Sequence, residues 1–315
     1  MVRLDVVIPT YNRRELLART LASLLAAEVP PGLDVGVTVV DNNSKDATRE
    51  LVEEWAGKFD GRLSYVFETK QGRSHALNAG IAATGGDLVG MIDDDEEVDA
   101  RWYVRIRQAF EDPSVDYVGG ACLPRWSVPR PAWLPEEYPG VIGCLVSAEG
   151  TAQVFVTEYK GPLWGGNAVI RREMLARIGL YATSLGRGSE NLMTGEDKDM
   201  FDRLVAAQAR GLYLPDLVIY HYVPPERLTK RYHRRWCFWS GVSQGVIDRR
   251  QPAPVVYLAG VPRWFYGRAA RSLLGVWREV LRGRRDPARI FSGELPVWEL
   301  CGFFYGKHFY RPAGE

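Results

Sequence analysis

The sequence predicts an α/β fold whose first hundred residues form a parallel sheet, joined to a basic, aromatic-rich helical extension. Three observations carry that expectation. Short β-branched runs alternate with helical stretches of about ten residues, as βαβ units require. The strand ends are polar, and two of the three that matter are acidic. Finally, Arg227 to Arg289 holds 15 Lys or Arg against 3 Asp or Glu, so the composition changes sharply in the last third of the chain.

The elements follow in order. Leu4–Ile8 is an apolar run ended by Pro9 and reads as a buried strand. Glu15–Ala27 places Leu16, Leu17, Thr20, Leu21, Leu24 and Leu25 at helical spacing. Val35–Val40 is a second strand, Asp46–Trp55 a second helix, Leu63–Phe67 a third strand, Ser74–Ala83 a third helix and Asp87–Ile92 a fourth strand. In parallel sheets, ligands bind beyond the carboxyl ends of the strands. Attention therefore falls on Pro9-Thr10-Tyr11-Asn12-Arg13, Asp41-Asn42-Asn43-Ser44 and Asp93-Asp94-Asp95-Glu96-Glu97. In the middle section, five prolines between Leu123 and Pro139 predict an ordered loop. Gln153–Glu158 alternates like a strand, Leu163-Trp164-Gly165-Gly166-Asn167 leads into Ala168–Ile170, and Glu196–Gln208 reads as a helix. Leu217–Tyr220 is a short strand ending at His221. Beyond Pro262, Phe265, Ala269, Leu273, Val276, Trp277, Val280 and Leu281 share one arc of a helix, with Arg268, Arg271, Arg278, Arg282 and Arg285 opposite.

Composition bounds the function. The chain has 315 residues, with 40 Lys+Arg against 39 Asp+Glu, a net +1 that argues against a general nucleic-acid binder. Removing the +12 of the basic segment leaves −11 for the remainder (+1 − 12). Cys122, Cys144, Cys237 and Cys301 lie far apart without zinc-site spacing, and buried thiols in a reducing compartment are the expectation. Asp5 interrupts any signal-peptide core, and no apolar stretch reaches bilayer length. The expected location is the cytoplasm, either away from membranes or peripheral on the inner face of the cell membrane.

Three successive aspartates after a strand repel one another unless a cation or several basic partners stand by. In an extended segment Asp93 and Asp95 point to one side and can approach one Mg²⁺ or Mn²⁺, which commonly share coordination with substrate phosphates. A solvated loop capping the helix near Asp99 is the alternative. Asp41 can accept from a base edge, Asn43 and Ser44 can serve a ribose or cap a helix, and Arg73 brings a cation to a helix start. Glu196-Asp197 follows Thr194-Gly195 and opens a helix. There Thr194 and Asp197 have capping-box spacing with Thr194 as the cap, or a carboxylate kept ionised by the helix N-terminus does general-base work.

Val7-Ile8-Pro9-Thr10-Tyr11-Asn12-Arg13, Val40-Asp41-Asn42-Asn43-Ser44, Gly72 through Asn78, Asp93-Asp94-Asp95 and Gly195-Glu196-Asp197 occur in the order seen in family 2 glycosyltransferases. The resemblance covers about residues 2 to 224. It implies the GT-A fold, with a Rossmann-like βαβ nucleotide-binding half and a mixed central sheet. The implied boundaries are 1–98 for the nucleotide-binding half, 99–228 for the acceptor-binding half and 229–315 for the helical extension. It further implies inverting, metal-dependent transfer from a nucleotide sugar, usually UDP-linked, to a glycan or lipid-linked acceptor. Carried over by position, Pro9, Thr10, Tyr11, Arg13, Asp41, Asn43, Arg73, Asn78, Asp93 and Asp94 would surround the nucleotide. Asp95, Asp93 and His221 would hold a divalent cation, Mn²⁺ or Mg²⁺. Asp197 would be the base with Glu196 in support, and Trp164, Gly165, Gly166, Asn167 and Arg227 would meet the donor sugar or acceptor. One departure stands out: the family's Lys-Gly…Arg-Asn helix start reads Gln71-Gly72…Leu77-Asn78 here.

Two other readings remain at this stage. Acidic strand ends also serve nucleotidyl or phosphoryl transfer, although no lysine-rich glycine loop follows the first strand. The protein could also be an inert binder of anionic membrane surfaces, working through its basic helix. That helix either lies at a lipid interface or packs with its arginines facing water.

Overall fold

The structure, a computed structural model, describes residues 1–135, 139–144, 150–185, 192, 195–283 and 286–311. They fall into two compact units. The first comprises Met1–Arg125, Cys144–Thr183 and Glu196–Tyr222; the second comprises Trp126–Gly143, Ser184–Gly195 and Val223–Glu315.

The first unit is built on β1 (Val2–Thr10), α1 (Arg14–Ala26), β2 (Leu33–Asp41), α2 (Thr48–Ala56), β3 (Leu63–Phe67), α3 (Arg73–Ala83) and β4 (Leu88–Met91). There follow β5 (Glu96–Val98), α4 (Trp102–Ala109), β6 (Tyr117–Trp126), β7 (Gln153–Val154), β8 (Ala168–Arg171), α5 (Arg172–Ile178), α6 (Glu196–Ala206) and β9 (Gly211–Val223). The sheet runs β3-β2-β1-β4-β8-β6-β9-β5, with β7 also on β9. The β3-β2-β1-β4 half is parallel, while β4–β8, β8–β6, β9–β5 and β9–β7 are antiparallel. The central sheet is therefore mixed. Alternation puts Leu4, Val6 and Ile8 of β1 on one face with Leu17, Leu21 and Trp102, and Val7 on the other with Leu77 and Ile81. Helices cover both faces, which is why the parallel strands read as nearly continuous apolar runs. Thr10 pairs with Asp41, and β4 stops opposite Val7, so the polar strand ends share one edge. Pro9 lies beyond the last β4 partner, where its missing N–H breaks no ladder on that side.

Three expectations change. Leu123–Trp126 is strand, not loop, because β6 runs to Trp126. Only Gln153 and Val154 of the expected 153–158 strand pair with β9; Val156 turns to φ 71° and Phe155 bridges back to Tyr159. The short 217–220 strand is the middle of the 13-residue β9, whose first half is disguised by Pro215.

The second unit contains α7 (Lys230–Arg250), the hairpin β10 (Tyr257–Leu258) and β11 (Val261–Pro262), α8 (Arg263–Leu281) and α9 (Pro287–His308). Thr229 caps α7 by accepting from the Tyr232 N–H, and Asp286 caps α9 by accepting from Ala288. Gly241 and Gly245 of α7 lie against the backbone of α9, and Gly302 and Gly306 of α9 against that of α7, so side chains at these positions would hold the helices apart. Helix α8 buries Phe265 and Ala269 and lays Val276 over Gly293 of α9, while Leu273, Trp277, Val280 and Leu281 stay exposed. Only part of the predicted apolar arc is packed. Arg285 lies outside the described residues. Among the described residues no helix is long and apolar enough to cross a membrane. Cys122, Cys144 and Cys237 are buried as expected, whereas Cys301 is exposed.

Candidate active site

The carboxyl edge of the parallel strands gathers the acidic side chains. β4 ends at Met91, and Asp93, Asp94 and Asp95 follow on a turn in which the Glu96 N–H bonds to the Asp93 carbonyl. The extended geometry expected for Asp93 and Asp95 is therefore replaced. Neighbours Asp94 and Asp95 share Arg13 Nη1, each at 2.9 Å, while Asp93 goes to Arg73 Nε at 2.8 Å. Asp94 turns inward, accepting from Thr10 Oγ1 at 2.8 Å, with its own carbonyl bonded to Thr20 Oγ1. Burial, together with Asp95, pushes the Asp94 carboxyl up to about 6 against the opposing pull of Arg13.

Arg73 is the centre of the arrangement. Gly72, at φ 137°, is held by Asn42 Oδ1 and starts α3 so that Arg73 is its first residue. Its guanidinium meets Asp93, Asp197 Oδ1 at 3.0 Å and Glu196 Oε1 at 3.5 Å. Burial works against the Arg73 charge, but Asp197, Asp93 and Glu196 outweigh it and raise its pKa. Glu196 is buried, whereas the Asp197 side chain is 33% exposed, so Asp197 is the acid a substrate can reach. Thr194, the suggested cap of α6, lies outside the described residues.

Two glycines make room for carboxylates. A methyl at Gly165 would collide with Asp197, and one at Gly166 with Glu96. Glu96 is fully buried; its Oε2 accepts from the Asp93 N–H at 2.8 Å. Burial and the nearby Asp93 and Asp95 raise its pKa well above the ordinary value, which His221 only partly offsets. His221 faces Glu96 across the β5–β9 pair and approaches Asp95 Oδ1 with Nε2 at 3.5 Å.

Other candidates take different positions. Asp41 is fixed by the Ser44 N–H and the Tyr65 hydroxyl, both at 2.8 Å. Asn43 adopts a left-handed φ of 67° and accepts from Lys45 Nζ. Tyr11 is exposed at the strand edge. Asn78 gives both ends of its amide to the backbone of Tyr181. Asn167 is fully buried, binding the carbonyls of Ala121 and Leu217 and the Trp102 indole N–H. Trp164 packs half-buried on the core. The acidic cluster therefore includes neither Asn78 nor Asn167. Arg227 belongs to the second unit, where it reaches the Ile142 carbonyl. Sequence reading gave no role to Glu96, Asn42 or the buried Tyr181, whose hydroxyl is held up by burial with Asp197 adding to the shift and Arg73 opposing it. Glu96 and Asn42 stand in two of the strand-end stretches the sequence singles out, whereas nothing local points to Tyr181.

For a divalent cation, Asp95 and His221 offer one carboxylate and one imidazole side by side, a donor pair that suits Mn²⁺. Among the described residues no three His, Cys, Asp or Glu side chains converge on one metal position. A cation here would complete its shell from phosphate oxygens and water.

A glucosyl-dolichyl phosphate glucuronosyltransferase of Haloferax volcanii is 27% identical over 255 residues, 80% of this chain and 79% of that protein. The succinoglycan biosynthesis protein ExoM of Rhizobium meliloti is 27% identical over 248 residues, 78% and 74% of the two chains. Among solved structures, the mannosyltransferase PcManGT of Pyrobaculum calidifontis, in complex with GDP-Man and Mn²⁺, superposes with a TM-score of 0.65 at 21% identity, covering 98% of this chain and 88% of that one. That likeness establishes the GT-A fold. The model of the glycosyl transferase family 2 domain matches residues 5–179, and with more than half its length matched the chain belongs to that family, as a glycosyltransferase.

Proposed function

We propose that the protein transfers a sugar, with inversion, from a UDP-linked donor to a hydroxyl of a glycan or lipid-linked acceptor, assisted by a divalent cation. The observation that carries this reading is the Arg73 bridge: one guanidinium joins Asp93 of the strand end to Asp197 at the start of α6. The acids proposed for the two halves of the reaction thus lie a single side chain apart. The Haloferax relative's name, with its dolichyl phosphate, supports a lipid-linked acceptor.

In this reading Asp41 receives the base, Thr10 and Arg13 hold the acidic turn in place, and the donor diphosphate lies beside Asp93 and Asp95. Asp95 and His221 would hold the cation, which when bound neutralises negative charge on the diphosphate. Asp197 takes the proton of the acceptor hydroxyl as that oxygen forms its bond to the anomeric carbon. The bond to the diphosphate breaks on the opposite face. Arg73 has two tasks. Before donor binds it holds Asp197 and Asp93 together; the diphosphate then competes for the guanidinium and frees the Asp197 oxygen for the acceptor. Glu196, buried beside Arg73, keeps that guanidinium in the site.

The test is product analysis with UDP-, GDP- and dTDP-sugars and a polyprenyl-phosphate-linked glycan, with Mn²⁺ or with a chelator. Nucleoside diphosphate released together with a glycosylated acceptor, and lost on chelation, is expected from the UDP series. Release of pyrophosphate instead would identify nucleotidyl transfer and overturn the reading.

A further inference from the structure

Among the described residues of the second unit, one apolar helix face stays exposed. Going round α8 at about 100° per residue, three arcs succeed one another. Phe265 and Val276 meet α9, and Ala269 on the same arc is buried. The next arc, about 100° wide, carries Leu273, Leu274, Trp277 and Leu281, whose exposures are 48, 51, 60 and 66%. Bordering it come Arg278, Arg271 and Arg282, all exposed. The packing of α8 on α9 and its bond from the Tyr266 hydroxyl to the Leu258 carbonyl of the hairpin leave the second arc exposed, and four large apolar side chains held in water are costly. We propose that this arc is a docking surface for an anionic lipid bilayer, with α8 lying in the plane of the headgroups.

Charge complementarity selects this occupant. These arginines, opposite the apolar arc taken as a whole, border its exposed part on the side away from α9, so apolar insertion and guanidinium–phosphate contact can occur together. A second protein copy would have to cover or neutralise this arginine row, and charged residues are depleted from the centres of protein–protein interfaces. Trp277 has the amphipathic ring that favours the interfacial depth. The inference deepens the proposed lipid-linked acceptor, because such a surface would hold the enzyme where that acceptor resides. It rests on that reading only for its biological sense, since vesicle binding is measured without turnover.

The experiment is flotation of the full chain with vesicles of phosphatidylcholine alone or mixed equally with phosphatidylglycerol, at low and high salt. Light scattering of the protein without lipid is recorded alongside. Wild type is expected to float with the mixed vesicles and largely to remain behind with phosphatidylcholine. Leu273→Ser/Trp277→Ser/Leu281→Ser and, separately, Arg271→Glu/Arg278→Glu are each expected to lower the bound fraction about tenfold. Their circular dichroism should be unchanged, since all five side chains are exposed. Equal flotation of the wild type and both variants would overturn the proposal. So would failure of the wild type to bind mixed vesicles at low salt, or a wild-type dimer abolished by the serine variant, which would assign the face to a second copy.

Discussion

Asp197 is placed by what is missing beside it. Gly165 has no side chain, and the Asp197 carboxylate occupies that space while reaching Arg73. Gly165→Ala is expected to push Asp197 out of line and lower the transfer rate about 100-fold, with a stability loss of about 1–3 kcal/mol read from urea unfolding. Transfer at the wild-type rate would show that the carboxylate does not need that position. The pair Gly165-Gly166 was visible in the sequence, but not its reason, since the carboxylates it accommodates come from residues 96 and 197. The same limit applies to the asparagines. Asn78 and Asn167 resemble binding residues by position, yet each spends its amide on distant backbone groups that local pattern does not reveal. Asp41, Arg73 and Asp93 were legible because each follows directly from a strand end or helix start.

Among the elements, those made by local rules were readable and those made by distant pairing were not. The β1-α1-β2-α2-β3-α3-β4 series shows its periodicity residue by residue, whereas β5 has three residues and β7 two, and both exist only through β9. In α7, His233 is fully buried among Trp133 and Phe291. Burial lowers its pKa to about 4 from 6.5. A histidine depressed in the folded state leaves the unfolded chain binding the extra proton between these values, so stability falls as pH drops through that window. Its contribution to that loss should be about 2 kcal/mol between pH 7 and pH 5. His233→Leu is expected to flatten that part of the curve in chemical denaturation. An unchanged slope would mean that His233 titrates alike in both states.

At the scale of the whole molecule, the sequence announces two chemistries, an acidic nucleotide-type edge and a basic aromatic extension, and the structure houses them in separate compact units. Composition marks that change near Thr229. It does not show that residues 126–143 cluster with the later helices, because that association is carried by contacts such as Trp133 with Phe291. Within the first unit, acids far apart in sequence converge on Arg73, and the transferase reading depends on that convergence. Asp197→Asn is the substitution that separates proton removal from donor binding. Calorimetric titration with the UDP-sugar and transfer under donor saturation should be measured on the same preparation. The expected result is donor affinity within about threefold of wild type and a transfer rate lowered about 100- to 10,000-fold; near-wild-type turnover would contradict Asp197 as the base and, with it, the mechanism.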